Sequence, residues 1–578
     1  MKFWQKLLSL SPLVVLFIAS FWSWKPLLAS GFFTIHDNQQ IARLFELNKA
    51  LLAGQFPVRW VPDLGFSFGY PLFNFYPPLI YYLGELFHLL LGTGFIDSIK
   101  IVWFVALVGS GIAMYFLAKE YFGRAGGLVA AMFYVYAPYH AVDAYVRGSL
   151  AELFSFVWLP LILLALYKIV TLPISYDRWI LASGILLGLL MITHNLIFLP
   201  FVGISALWYF ALVLIYRRNE PVRYTLYFIL YTALCFALSA FFWLPALAEK
   251  QFTLVDQLLI KNLASYQIHF VCPQQLWNSP WGFGGSTAGC LDGLSFKLGK
   301  LHILAAIASF GAVAYLWLKA HKKLALVILI SYFLFFISLF MTTDYSKILW
   351  DNFPPLWYLQ FPWRFLEFAT LFAALIAGSI LALVKNIPLK ILVTITLISA
   401  ILYIEAKNFV PQTHLFTDTD DQETSDEQIK WVISSTSFEY LPKEVATRVT
   451  DLGTVWVDID RSKIPPRKYQ VLSGNLQSTE EIFLPHRFKL TGQFTNETTI
   501  QINVANFPGW EVWLDGSEAR IRDNNAYKLI TINVPPGNHT LTGQFTNTWP
   551  RSLGNTISII ALIALALYFG KYGIRRSS

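Results

Sequence analysis

Charge is what this sequence has least of. Only 13% of its 578 residues are Asp, Glu, Lys or Arg, against roughly 25% in an ordinary soluble domain. So little polar surface cannot cover a water-soluble fold of this length, which excludes that class. Cysteine is also scarce, and the three present form no zinc or redox set. Cys235 sits in an apolar run, whereas Cys272 and Cys290 share one loop, where a disulfide is permitted outside the cytoplasm but not dictated. The stretch between them, CPQQLWNSPWGFGGSTAGCLDG, lacks the lysine and spacing of a phosphate-binding loop. The acidic run Asp418–Glu427 lacks the glycine of a calcium loop and reads as a solvated linker. No small-residue cleavage site follows the apolar stretch near 7–28, so it reads as a retained first helix. The net charge of +8 follows from basic turns and does not imply a nucleic acid partner.

Long apolar runs are abundant. Spans are expected near 7–28, 98–118, 122–139, 150–170, 178–193, 196–216, 224–246, 301–319, 323–342, 363–384, 387–405 and 554–571, about 12 transmembrane helices in all. Basic turns at Lys119/Arg124, Lys168/Arg178, Arg217/Arg218/Arg223, Lys319/Lys322/Lys323, Lys385/Lys390 and Arg575/Arg576 alternate with this set. With those turns inside, both termini are cytoplasmic. The apolar stretch at 77–92 carries Glu85 and His88 and would invert the order if it crossed, so it reads as juxtamembrane or re-entrant. The expected organisation is a multi-helix membrane domain over 1–405 with an external loop at 29–97. An extracytoplasmic β-rich domain over 406–553 and a final transmembrane helix with a basic tail over 554–578 complete it. Alternating runs such as TIQINVANF, WEVWLDG and YKLITINV, cut by Pro and Gly turns, predict a β-sandwich there. The heptapeptide LTGQFTN at 490–496 and 541–547 marks either two equivalent strands or chance.

Ionisable groups near membrane depth carry the chemistry. His36 and Asp37 follow the first helix, and a helical-period segment, IARLFELNKALLAGQFPVRW, comes next. It reads as an amphipathic helix on the membrane surface. Asp37 either caps that helix, near Gln39, or acts as a general base towards a hydroxyl. In YHAVDAYVRGSLAE, Asp143 and Arg147 are four apart, so a helical stretch pairs them on one face, with Glu152 beyond. The pair either stabilises a helix entrance or presents Arg147 to a phosphate or carboxylate. Arg364 and Glu367 open a helix in LQFPWRFLEF, where the arginine either snorkels to head groups or holds lipid phosphate. His194 and Asn195 lie between two apolar runs, most simply at a tight helix turn.

Considered together, HD, GYPLFNFYPPL, YVRGSLAE, FPWRFLEF and the closing FPGWEVWLDG resemble the bacterial membrane family called 6-pyruvoyl-tetrahydropterin synthase-related. More broadly, an Asp after helix one, surface helices and a YPPL segment resemble the GT-C class of membrane glycosyltransferases. The pterin name carries no chemistry here, since the sequence has no histidine triad and no soluble synthase domain. What the resemblance implies is a GT-C-like enzyme moving a sugar from a polyprenyl-phosphate donor to an envelope glycan, lipid or protein at the external face. Asp37 would then be the catalytic base. His36, Arg147, Arg364 and His194 would bind substrate. Asp143 and Glu152 would orient the arginine or hold a divalent metal. A flippase of lipid-linked glycans and a non-catalytic envelope scaffold are the alternatives, depending respectively on deeper polar groups and on the β domain alone.

Overall fold

In the computed structural model, residues 2–172, 176–259, 265–449, 455–464 and 467–577 are described. The chain forms two compact units. One comprises 1–38, 96–237 and 265–418, and the other 39–95, 238–264 and 419–578.

The first unit is helical because its segments are apolar on every side and their backbone groups bond within the segment, as lipid requires. Among the described residues of the whole chain, nine helices are long and apolar enough to cross a membrane, or ten counting the bent pair Ser11–Ala19 and Phe21–Leu28. The expected segments 98–118 and 122–139 lie in one stretch, Phe95–Val135, broken at Gly123. The φ of 71° there is open to glycine without a Cβ clash. Helix Tyr176–Thr193 coincides with the expected segment 178–193. The Pro362–Ala382 segment is 89% buried over its apolar window, whereas Ile387–Asn408 is 11% buried. The helix carrying Arg364 and Glu367 is therefore central to its unit. Cys272 and Cys290 are bridged, and Cys235 is free and buried.

The second unit holds most of the β structure. One antiparallel sheet runs in the order Ser517–Glu518, Trp510–Leu514, Gly537–Phe545, Arg487–Phe494, Leu476–Leu484. A second runs Leu529–Val534, Thr498–Ala505, Tyr469–Ser473, and Thr447–Val449 pairs antiparallel with Val455–Val457. Alternate residues such as Leu490, Ile500, Ile502, Ile532 and Leu541 are buried, and Tyr469 of one sheet stacks on Phe483 of the other. The repeated heptapeptides occupy adjacent antiparallel strands, with Leu490 opposite Leu541 and Thr491 opposite Thr540. Helix Trp549–Ser577 closes the unit; the side chains of Arg575 and Arg576 lie outside the described residues, as does part of the turn at 465–467.

Two expectations change here. Helix Gln40–Leu52 is not a one-sided amphipathic helix, because Gln40, Arg43, Glu46 and Asn48 are buried along with the apolar positions. Each finds a partner within the unit: Asn48 donates to Glu85 at 2.8 Å, and Arg43 to Ser437 at 3.1 Å. The acidic run is not a plain solvated linker. Thr419 and Gln422 form a reciprocal cap on Asp420–Glu423, and Asp420 accepts from the Phe95 amide at 2.7 Å. Helix Leu79–Leu91 has 13 residues, so at about 20 Å it falls short of the roughly 30 Å hydrocarbon thickness.

Candidate functional site

The first unit gathers most of its buried charges at one place, and the local sequence explains how. Pro138 opens a short helix, Pro138–Val142, which runs into a wide turn, Asp143–Arg147. That turn ends at Gly148, with φ of 67°. A Cβ there would sit 2.4 Å from the Ile35 side chain, so only glycine lets residues 35–37 lie this close. The approach is sewn by backbone bonds: His36 N donates to Val146 O at 3.1 Å and Asp37 N to Arg147 O at 2.8 Å. Just upstream, Phe32–Phe33 pairs antiparallel with His414–Leu415. The loop carrying Asp37 is thus fixed on both sides.

Glu152, in the first turn of helix Leu150–Thr171, is the centre of the cluster. Its Oε2 accepts from Arg147 at 2.9 Å and from Arg364 Nε at 3.1 Å, and its Oε1 from the Tyr139 hydroxyl at 2.5 Å. Arg147 also pairs with Asp143, as the four-residue spacing predicts, and lies 4.6 Å above the Trp363 ring. Arg364 NH1 donates to Leu359 O at 2.6 Å. Glu367, one turn along, accepts from Ser155 at 2.5 Å. Asp143, Glu152 and Glu367 are 0% exposed, while Arg147 and Arg364 are 6% exposed. Within this buried cluster the guanidinium groups are thus slightly more accessible than the three carboxylates.

Burial, reinforced by the Glu152 charge, pushes the Asp143 carboxyl well above the ordinary range, while Arg147 and Arg364 oppose the shift and Asp37 adds to it. His194 caps helix Asn195–Tyr216 by accepting the Ile197 amide at Nδ1, 3.1 Å away. An accepting Nδ1 leaves the proton on Nε2, which faces Glu152 Oε2 at 3.8 Å. Burial holds this imidazole down at about 3, so it is neutral at physiological pH.

Asp37 is half-buried, and its carboxylate has no partner among the described residues. The N-cap residue of helix Gln40–Leu52 is Gln39, whose side chain forms no cap. His36 is exposed, and its Nε2 lies 2.8 Å from Phe283 O, in the disulfide-closed loop. All seven sequence-derived residues (His36, Asp37, Asp143, Arg147, Glu152, His194 and Arg364) therefore lie in one unit, six of them within or directly bonded to the charge cluster and His36 beside it on the loop. Sequence reasoning did not enlist Tyr139, Ser155 or Trp363. Only adjacency hinted at two of them, Tyr139 four residues before Asp143 and Trp363 next to Arg364.

The donor set does not suit a divalent metal. Among the described residues, no group of three or more His, Cys, Asp or Glu is placed to hold one. Asp143 and Glu152 already serve two guanidinium groups, whose positive charge opposes a cation.

Residues 73–409 match the family model described as "6-pyruvoyl-tetrahydropterin synthase related domain; membrane protein". No curated protein matches the chain. Among solved structures, arabinofuranosyltransferase AftD from Mycobacteria is similar with a TM-score of 0.45 and 15% identity, over 71% of this chain and 27% of that one. The apo oligosaccharyltransferase of Archaeoglobus fulgidus gives 0.41 and 14%, over 72% and 56%. ArnT from Cupriavidus metallidurans, bound to undecaprenyl phosphate, gives 0.39 and 12%, over 68% and 63%. The chain thus spans less than two thirds of the length of each.

Proposed function

The chain belongs to the 6-pyruvoyl-tetrahydropterin synthase-related family of membrane proteins, and we propose that it transfers a sugar from a polyprenyl-phosphate-linked donor to an envelope acceptor. One observation carries the reading. Asp37, whose carboxylate has no partner among the described residues, is held by its backbone against the carbonyl of Arg147, whose guanidinium group shares Glu152 with Arg364. In this reading Asp37 is the general base, on a segment whose backbone is bonded to that of the cationic cradle.

In this reaction the acceptor hydroxyl gives its proton to Asp37 as its oxygen bonds to the anomeric carbon of the donor sugar. The bond from that carbon to the phosphate oxygen breaks, and the electron pair leaves with the polyprenyl phosphate. Arg147 and Arg364 face the charge that grows on the leaving oxygen, and preorganised cations are worth most where water is excluded. Glu152 and Asp143 hold the two arginines in place, and no step needs a metal. In the same reading the basic turns are cytoplasmic, so Asp37 and the β-sandwich face the external side.

The test is sugar transfer by purified protein from polyprenyl-phosphate sugars, comparing wild type with Asp37→Asn. A positioned general base contributes roughly 100- to 10,000-fold, and a loss of that size in a well-folded variant is expected. Equal activity in both proteins removes Asp37 from the mechanism, and no transfer across a broad donor panel refutes the reading.

A further inference from the structure

The second unit contains a cavity of about 390 Å³ beside the loop Gly65–Gly69, within the roughly 300–1,000 Å³ of small-molecule sites. Two aromatic pairs shape it. Phe66 faces Trp431 with ring centres 6.4 Å apart and planes at 44°, and Phe438 faces Trp456 at 5.9 Å and 37°. Among the described residues, Arg448 and Arg461 are the only charged residues in its lining.

The walls are built rather than incidental. Phe66 and Ser67 hold φ values of 62° and 71°, a region that non-glycine residues occupy only when the surroundings impose it. Lys468 imposes it by donating to Ser67 O at 3.0 Å and Ser67 Oγ at 3.2 Å. The Trp431 side is fixed through Ser437, whose carbonyl accepts from the Tyr70 hydroxyl at 3.1 Å. Trp456 stays 38% exposed, so a large ring face is left wet.

We propose that this cavity binds a saccharide bearing an anionic group. The splayed aromatic pairs make a cup for a chair-shaped ring, whose C–H bonds meet electron-rich faces; a flat nucleobase would need parallel walls. The charge of the ligand follows from the arginines. Arg461 lies 4.5 Å above Trp431 and pairs with Glu427 at 3.0 Å. Both partners are exposed, and such pairs contribute little, so a carboxylate or phosphate on the sugar can take the place of Glu427. Arg448 has no ion pair among the described residues and supplies a second fork. As the binding subsite for an acidic glycan acceptor, the cavity rests on the transferase reading; as a binding site it does not.

The test is a titration of the full-length protein in detergent with tetragalacturonate, maltotetraose and AMP, followed by tryptophan fluorescence and calorimetry. Tetragalacturonate, or the same titration with a sugar phosphate, is expected to bind at least about tenfold more tightly than maltotetraose or AMP. Trp456→Ala and Arg448→Ala are each expected to weaken it by about tenfold or more, while Asp37→Asn leaves it unchanged. Equal binding of maltotetraose, equal or tighter binding of AMP, indifference to both cavity variants, or no binding of either acidic sugar overturns the proposal. Binding without transfer activity would defeat the transferase reading alone, and transfer without binding would defeat the cavity alone.

Discussion

Glu152→Gln isolates the energetics of the charge cluster. The carboxylate receives two guanidinium groups on one oxygen, at 2.9 and 3.1 Å, and the Tyr139 hydroxyl on the other. At such distances and an effective dielectric near 20, each contact is worth about 5 kcal/mol in gross Coulomb terms. Desolvation of the ions cancels most of that, so the pair adds little net stability over an apolar replacement. Removing one partner is different, because the amide leaves Arg147 and Arg364 buried, with Asp143 paired to Arg147 alone. The expected loss is about 3–5 kcal/mol. Adding Arg364→Gln restores balance, with Asp143 and Arg147 left as a pair. The double variant should then be more stable than the single-variant effects predict, by a coupling of about 1–3 kcal/mol. Unfolding in mixed micelles reads both quantities, with Trp363 beneath Arg147 as a local fluorophore. A single variant within about 1 kcal/mol of wild type, or strictly additive effects, would refute the geometry.

Two further predictions concern titration and capping. Burial and the neighbouring Asp63 push Glu46 up to about 8, while Lys468 and Lys49 outweigh the burial of Asp63 and hold it at about 2. The folded state therefore keeps a proton on Glu46 that the unfolded chain releases above the ordinary glutamate value of 4.5. The stability of the second unit should fall as pH rises from that value to about 8 and level off beyond, by at most about 5 kcal/mol. Glu46→Gln should remove this slope; parallel pH profiles for wild type and variant would rule it out. At His194, Asn supplies the same capping acceptor and Ala does not. Stability should thus survive His194→Asn and drop by about 1 kcal/mol in His194→Ala. If His194→Asn also keeps transfer activity, the imidazole serves only as a cap; if activity is lost with the fold intact, its Nε2 contacts substrate.

What the sequence makes legible depends on how far apart the interacting residues are. The apolar segments were legible as helices because each satisfies its own backbone and needs no partner to be recognised, but their number was not, with nine or ten candidate spans among the described residues against about 12 expected. The Asp143–Arg147 pair was legible because its members are four positions apart. The bonds from Arg364 to Glu152 and from Ser155 to Glu367 each join residues 212 positions apart, and no local period encodes them. The same holds in the second unit, where Glu249 and Arg551 are 302 positions apart and fully engaged with each other. Scarcity of charge does supply a weaker signal, since an ionisable group in an apolar stretch must find a counter-charge. It marks Glu152, Arg364 and Glu249 as residues that need partners without saying which. Helix Gln40–Leu52 shows the limit of the signal, because Gln40, Arg43, Glu46 and Asn48 imitate a wetted face while they are buried against the fold. Only knowledge of what surrounds a helix separates a polar face turned to water from one turned to buried partners. That is why the charge cluster could be listed from sequence while its arrangement around Glu152 could not.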